Sequence, residues 1–310
     1  MVDIRVAVVG STHMDFTVTT DHLPEVGETV IGSVFKMSPG GKGANQAVAA
    51  SRLGAQVYMV GRVGRDYLGG LLLENLKGNK VNTVYIVEDP SSYTGVALIT
   101  VDKNGRNMIT VAPGTDSALA REDVDRAMPV ITSASVLLLQ LEVPLEVVVY
   151  SVEKAYDAGV KVILNPAPFK QLPENLYGRL YAITPNEGEA GMLSDVEVRD
   201  VKDCENAALK LIGKGVENVV VTLGARGALI VNSKGSRIIP AYEVKPVDTT
   251  GAGDAFNAAL AVAVAEDLSL DEAVGFANLV AACKVTKLGA QEGLPSMVEV
   301  SEFMAGISHV

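Results

Sequence analysis

The sequence predicts an α/β fold built on a mostly parallel sheet, and three observations carry that prediction. Short β-branched runs alternate with amphipathic helical segments through most of the chain. Several runs are apolar at both odd and even positions, as strands covered by helices on each face must be. Gly54 and Gly159 follow two of the helical segments, where a left-handed residue ends a helix. Alternating strand and helix implies right-handed crossovers between parallel neighbours.

The strand candidates, in order, are Arg5–Val9, 57–60, 136–141, Lys161–Leu164, 219–222 and 228–231. Amphipathic segments at 44–53, 145–158 and 202–212 lie between them. Two regions, about 14–37 and 92–112, break this rhythm by alternating apolar and polar residues. The second holds Lys103-Asn104-Gly105, a hairpin-turn signal. Together they predict a small separate sheet made from two insertions; edge strands of the main sheet are the alternative. No internal repeat or low-complexity tract divides the chain, so residues 1–310 are expected to form a single domain.

Composition excludes several classes of function. The 310 residues are 48% hydrophobic and 20% charged, enough to bury a sizeable core. The net charge is −11, with 26 basic against 37 acidic residues and no basic block. Nucleic acid is therefore not expected as the principal partner, since phosphate contacts need clustered Lys or Arg. The most apolar helical stretch, 255–265, is interrupted by Asn257 and is too short to span a membrane. The apolar run near the N-terminus runs into Gly10 and reads as a first strand rather than a signal peptide. Cys204 and Cys283 share no metal-like spacing, and His13, His22 and His309 are scattered. A disulfide framework or zinc site is not expected, and a reducing cytoplasm suits the chain.

The chemistry concentrates in two glycine-rich segments. Residues 247–256 read VDTTGAGDAF: an apolar approach, a Gly-rich turn, an acid, then an unbroken small-residue helix. Asp254 stands where the turn becomes helix, beside N–H groups without intrahelical partners. Those donors and the helix dipole favour an anion such as phosphate. An acid set against an anion site is costly unless chemistry needs it. Phosphoryl transfer to a hydroxyl does need a proton acceptor there. In isolation the same residues also read as an ordinary helix start with an acidic first turn.

Residues 38–47 read SPGGKGANQA. Consecutive glycines let backbone approach a ligand closely, while Lys42 and Asn45 offer a charge and an amide. This is no Walker loop, because the upstream glycine is misplaced and Gly43 stands where Ser or Thr is needed. No GxGxxG follows the first strand either. Alone, the segment is equally a tight turn with a solvated lysine. Asp15 follows the first strand by a short loop, and Glu142 and Asn186 follow apolar runs. In an open parallel sheet, residues just past strand C-termini gather in one crevice.

The two segments, GGKGANQAVAA and DTTGAGDAF in that order, resemble the signatures of the ribokinase branch of the phosphofructokinase-B carbohydrate kinase superfamily. The likeness continues through Gly10-Ser11 to Asp15, TGVA at 94–97, QLE at 140–142 and NPAP at 165–168. It extends to TPNE at 184–187, TLG at 222–224 to Gly227, and KLGAQ at 287–291. The resemblance implies a three-layer α/β/α ribokinase-like fold, with the two insertions forming a β lid. It implies ATP-dependent phosphorylation of D-ribose at O5 to give ribose 5-phosphate. Another acceptor of the superfamily (a nucleoside, ribose 1-phosphate, fructose or a keto-deoxy sugar acid), or ADP as donor, is the nearer alternative. A catalytically idle sugar-binding protein is the more distant one, and the intact Asp254 and GAG turn argue against it.

The resemblance also implies roles. Asp254 would be the general base, and Gly251, Ala252 and Gly253 the anion hole. Asp15, Gly41, Lys42, Asn45 and Glu142 would hold the sugar. Asn186 and Glu189 would organise Mg²⁺ through water, while Thr222, Gly224, Arg226, Gly227 and Asn278, with Asn186 and Gly253, would line the nucleotide site. A K⁺ ion would be held beside the anion hole by Asp248, Thr250, Lys284, Lys287 and Gly289, largely through carbonyls. Gly293 replaces a residue that often gives that ion a side-chain oxygen, so a water would substitute. His13 departs from the family's usual Asn and would either tune sugar choice or pack beside the lid. The lid sheet would form a homodimer interface.

Overall fold

The computed structural model describes residues 4–307; the ends of the expected domain, His309 included, lie outside the described residues. The strands are β1 Arg5–Val9, β2 His13–Thr20, β3 Val34–Gly40, β4 Gln56–Gly64, β5 Asn82–Asp89, β6 Val96–Asp102 and β7 Asn107–Ala112. They continue as β8 Val136–Leu139, β9 Lys161–Leu164, β10 Ala182–Ile183, β11 Asn218–Thr222, β12 Ala228–Asn232 and β13 Gly235–Ile239. The helices are α1 Lys42–Arg52, α2 Tyr67–Gly78, α3 Arg121–Ile131, α4 Leu145–Asp157 and α5 Glu174–Tyr177. After them come α6 Glu187–Ser194, α7 Val201–Gly213, α8 Ala252–Ala265, α9 Leu270–Val285 and α10 Met297–Ile307.

Nine strands form one sheet in the order β13-β12-β11-β10-β9-β8-β1-β4-β5. It is parallel from β5 to β11 and antiparallel only at the β12–β13 edge. Along β1, Val6 and Val8 pack with α1, α2, α8 and α9, while Ala7 and Val9 pack with α3, α4 and α7. That alternation makes two cores, one on each face, so the expected three layers are present. Helix α8 is almost entirely buried, from Asp254 to Ala265. Its run of alanines and valines suits a helix packed between α1 and α9.

The two insertions form a separate four-stranded sheet, β3-β2-β6-β7, and are not edge strands of the large one. Its outer pairs are antiparallel, but the central pair β2–β6 is parallel. The hairpin at 103–105 closes β6 onto β7, with Gly105 N–H donating to the Asp102 carbonyl at 2.9 Å. The strand expected at 136–141 stops at Leu139, where Gln140 turns its amide to the Gln46 side chain at 2.5 Å.

The placement of α1 positions the site. Ala44 N–H donates to the Ser11 carbonyl at 2.9 Å, seating the helix start on the β1–β2 connection. A Cβ on Gly43 would lie 2.6 Å from Ser11 N and 2.7 Å from the Gly10 carbonyl carbon. Only glycine allows this approach. It sets Lys42, Asn45 and Gln46 over the C-terminal ends of β1 and β8. Among the described residues, no helix is long and apolar enough to cross a membrane.

Candidate active site

Asp254 lies in the first turn of α8, whose N-cap is Gly251 at a left-handed φ of 77°. Its carboxylate is buried, and each oxygen accepts one side-chain amide from α1. Asn45 Nδ2 donates to Oδ2 at 2.8 Å and Gln46 Nε2 to Oδ1 at 3.0 Å. Gln46 also reaches Asn165 Oδ1 at 3.2 Å. Burial raises the pKa of Asp254 above the ordinary carboxylate value, and the Lys42 charge and the two amides oppose that rise. The Ala252 N–H turns back to the Thr249 carbonyl at 3.1 Å. The Gly251 and Gly253 N–H groups have no partner among the described residues, so they are the donors free to meet an anion.

The remaining sugar-side residues converge on the same place. Glu142 Oε2 accepts from Ser11 Oγ at 2.6 Å and from the Lys42 N–H at 2.8 Å. Burial works against the charge of the Lys42 side chain, but Asp254, Glu142, Glu189 and Asp15 hold its pKa above the usual value. Asp15, on β2, is raised by burial to about 6, with the positive charges of His13 and Lys42 opposing. Gly41 is the N-cap of α1. Three polar atoms of this cluster, Asn45 Oδ1, Thr12 Oγ1 and Gln140 Oε1, are buried without a hydrogen-bond partner. Buried polar atoms left unmatched in an otherwise satisfied cluster are what a polar ligand would complete.

His13 is packed between two acids. Its Nδ1 lies 2.9 Å from Asp116 Oδ2 and its Nε2 3.7 Å from Asp15 Oδ1. Burial alone would lower its pKa, but the hydrogen bond and charge of Asp116, with Glu142 and Asp15, lift it to about 9. The surrounding acids therefore favour the protonated form of His13. Asp116 is anchored in turn by the Thr12 N–H at 2.8 Å.

The expected nucleotide residues gather at the ends of β10 and β11. Asn186 and Thr222 meet in a parallel bridge, and Thr222 N–H donates to the Pro185 carbonyl at 2.9 Å. Gly224 and Arg226 form a short 3₁₀ turn ending at Gly227. Arg226 is exposed and pairs with Glu187 of α6. Asn278, on α9, spends its amide on the carbonyls of Ile239 at 2.9 Å and Pro240 at 3.1 Å, which fixes the wall after β13.

Asn186 and Glu189 cap α6 reciprocally: Glu189 N–H donates to Asn186 Oδ1 at 2.8 Å, and Asn186 N–H to Glu189 Oε2 at 2.9 Å. Glu189 is buried rather than a solvated helix residue, and burial raises its pKa. Among the described residues, no three His, Cys, Asp or Glu side chains come together to hold a metal. One carboxylate and one amide oxygen suit a hard Mg²⁺ ion held mainly by phosphates and water.

The residues expected to cradle K⁺ do come together, but they do not fit that ion. The Asp248 and Lys287 carbonyls accept from the Lys284 ammonium at 3.1 and 3.2 Å. The Lys284 carbonyl already accepts from Lys287 N–H at 3.0 Å. Asp248 Oδ1 takes the Thr250 N–H at 2.9 Å and Oδ2 the Gly289 N–H at 2.8 Å. It is the Lys284 side chain, not its backbone, that meets the Asp248 and Lys287 carbonyls.

Gln46, Gln140, Asn165, Ser11 and Asp116 are participants that sequence reasoning missed. The available signal was a polar side chain, Gln46 or Gln140, inside an otherwise apolar helix start or strand end.

A carboxylate at a helix N-terminus, facing sugar-ready polar groups at the carboxyl ends of a parallel sheet, defines a phosphotransferase acting on a small alcohol. The pfkB family carbohydrate kinase model matches residues 3–297. Ribokinase of Haemophilus influenzae is 40% identical over 297 residues, 96% of this chain and 97% of that protein. Deoxyribokinase of Salmonella typhi is 36% identical over 301 residues, 97% of this chain and 98% of that protein. The structure of Arabidopsis thaliana ribokinase complexed with ribose and ATP superposes with a TM-score of 0.91 at 31% identity. It covers 97% of this chain and 98% of its own. The chain belongs to the pfkB family of carbohydrate kinases.

The electrostatics give a test. Lys42 opposes the burial-driven rise of the Asp254 pKa, so Lys42→Met lets that pKa climb further. If ionised Asp254 is required, kcat falls as pH drops through its pKa, and the acidic limb of the kcat profile moves to higher pH in the variant. An acidic limb that stays in place would separate Lys42 from the titrating group.

Proposed function

We propose that this chain phosphorylates D-ribose at O5, with ATP as donor and Asp254 as the general base. The observation that carries the reading is the Asp254 carboxylate, held by Asn45 and Gln46 beside the free N–H groups of Gly251 and Gly253. The sugar's primary hydroxyl gives its proton to Asp254 as its oxygen bonds to the γ-phosphorus. The bond from that phosphorus to the β,γ-bridging oxygen breaks, ADP leaves, and the proton later passes from Asp254 to solvent. The Gly251–Gly253 turn stabilises charge on the moving phosphoryl group, with Gly251 and Gly253 as its donors.

Asp15, Lys42, Glu142 and the unpartnered Asn45 Oδ1 bind the sugar hydroxyls, and Gly41 brings backbone close. Thr222, Gly224, Arg226 and Gly227 line the nucleotide site, with Asn278 holding its wall. Asn186 and Glu189 would hold Mg²⁺ through water, and that ion supplies charge neutralisation on the phosphates. The β3-β2-β6-β7 sheet closes over the sugar and excludes water, itself a competing acceptor. The names of the ribokinase relatives support ribose and ATP as substrates.

A second reading, another acceptor sugar, is favoured by His13. Its imidazole is bonded to Asp116 and faces Asp15, a different group from the family's usual amide. A panel of D-ribose, 2-deoxyribose, fructose and nucleosides, with ATP or ADP, separates the readings. Ribose 5-phosphate, identified by mass and position, is the expected main product. Preference for another acceptor supports the second reading, and no turnover on any member points to an idle binder.

Asp254→Asn is expected to lower kcat by about 10²–10⁴-fold while sugar binding, measured by calorimetry, stays close to wild type. Retention of most turnover would show that the base is misassigned.

The lid sheet also exposes Phe35, Met37, Leu98 and Met108, all on one face by register. We assign that face to a homodimer contact. Sedimentation should give a dimer for wild type and a monomer for Phe35→Glu. A wild-type monomer would refute the contact.

A further inference from the structure

Lys284 occupies a position unusual for its type. It sits in the last turn of α9 and is fully buried. Lysine is almost never fully buried without a partner, because its charge loses hydration. Its hydrogen-bond partners here are two backbone carbonyls, those of Asp248 and Lys287. The oxygens of the neighbouring Asp248 carboxylate are taken by backbone N–H groups. Backbone carbonyl oxygens are also the ligands an alkali cation receives, and although burial lowers the Lys284 pKa, the Asp248 carboxylate opposes that fall.

The surroundings are cut to the lysine. A Cβ on Gly293 would lie 3.1 Å from Lys284 Cε, 2.7 Å from the Gly289 carbonyl and 2.9 Å from that of Leu288. The lysine stem thus runs against the bare Gly293, and a side chain at 293 would press hardest on the two carbonyls. The cage is also contiguous with the reacting turn: Asp248 and Thr250 lead directly into Gly251–Gly253. A positive charge behind that turn reinforces the N–H dipoles that face the phosphoryl group.

We propose that the Lys284 ammonium is the built-in monovalent cation of this site, so that phosphoryl transfer by this chain needs no potassium. A tethered cation cannot dissociate, and its position is fixed by α9 rather than by salt concentration. The inference rests on the Gly251–Gly253 turn being the phosphoryl-transfer site, and not on which sugar is the acceptor.

The test uses the full chain in KCl or in tetramethylammonium chloride at equal ionic strength, with two readouts. The first is turnover of whichever sugar the panel identifies, with MgATP. The second is the thermal unfolding midpoint, which needs no substrate and so stands even if the proposed acceptor is wrong. Wild type should show equal rates and equal midpoints in the two salts. Lys284→Ala should lose roughly tenfold or more of its rate in tetramethylammonium and regain much of it in KCl, as the emptied cage takes the ion. Its midpoint should rise with KCl. Potassium stimulation of wild type, or a Lys284→Ala enzyme as fast as wild type in tetramethylammonium, would overturn the proposal.

Discussion

The grip of two α1 amides on the Asp254 carboxylate is the constraint around which the rest of the site is arranged. A buried carboxylate is tolerable only when its oxygens are hydrogen-bonded. Asn45 and Gln46 meet that demand from a helix more than 200 positions away, with separations of 209 and 208. Their reach requires α1 to start hard against the β1–β2 connection, which the bare Gly43 permits. Gln46 is fixed in turn by Gln140 at the end of β8 and by Asn165 after β9. Three neighbouring strand ends and two helices are thereby locked to one oxygen pair.

Charge is organised around that pair. Asp15, Glu142, Glu189 and Asp254 all act on Lys42, which keeps its proton despite burial. A protein of net charge −11 must still receive a nucleotide polyphosphate. On the proposed reading it does so with local positive potential: the N-terminus of α8, the Lys42 ammonium and the Lys284 ammonium. His13 sits between Asp116 and Asp15, whose charges favour its protonated form. The buried acids of the site are thus matched by cations, side-chain amides or backbone donors.

Much of this was legible in the sequence. Lys161–Leu164 and Arg5–Val9 matched the observed strands residue for residue, because buried parallel strands are short, β-branched and bounded by turns. The two insertions were marked by a switch to period-two alternation, although the parallel β2–β6 pairing needs long-range contact that alternation cannot encode. Asp254, Lys42 and Asn45 stood out because a helix start beside glycines has few chemical reasons to carry them. Gln46 did not: neighbours on a helix diverge by about 100°, so spacing does not mark both amides for one acceptor. Asp116 sits 103 positions from His13, and no local pattern joins them. Lys284 reads as an ordinary basic residue in a last helical turn, where the dipole favours it. Its inward course depends on the Asp248 carbonyl, 36 positions away in the chain.

The central claim is that Asp254 takes the proton from the acceptor hydroxyl. A crystal structure of the chain with the sugar and a non-hydrolysable ATP analogue tests it most directly. The claim predicts the sugar's primary hydroxyl oxygen at hydrogen-bond distance, about 2.6–3.2 Å, from an Asp254 carboxylate oxygen and in line with the γ-phosphorus. A primary hydroxyl bound instead to Asp15 or Glu142, with Asp254 out of reach, would contradict it.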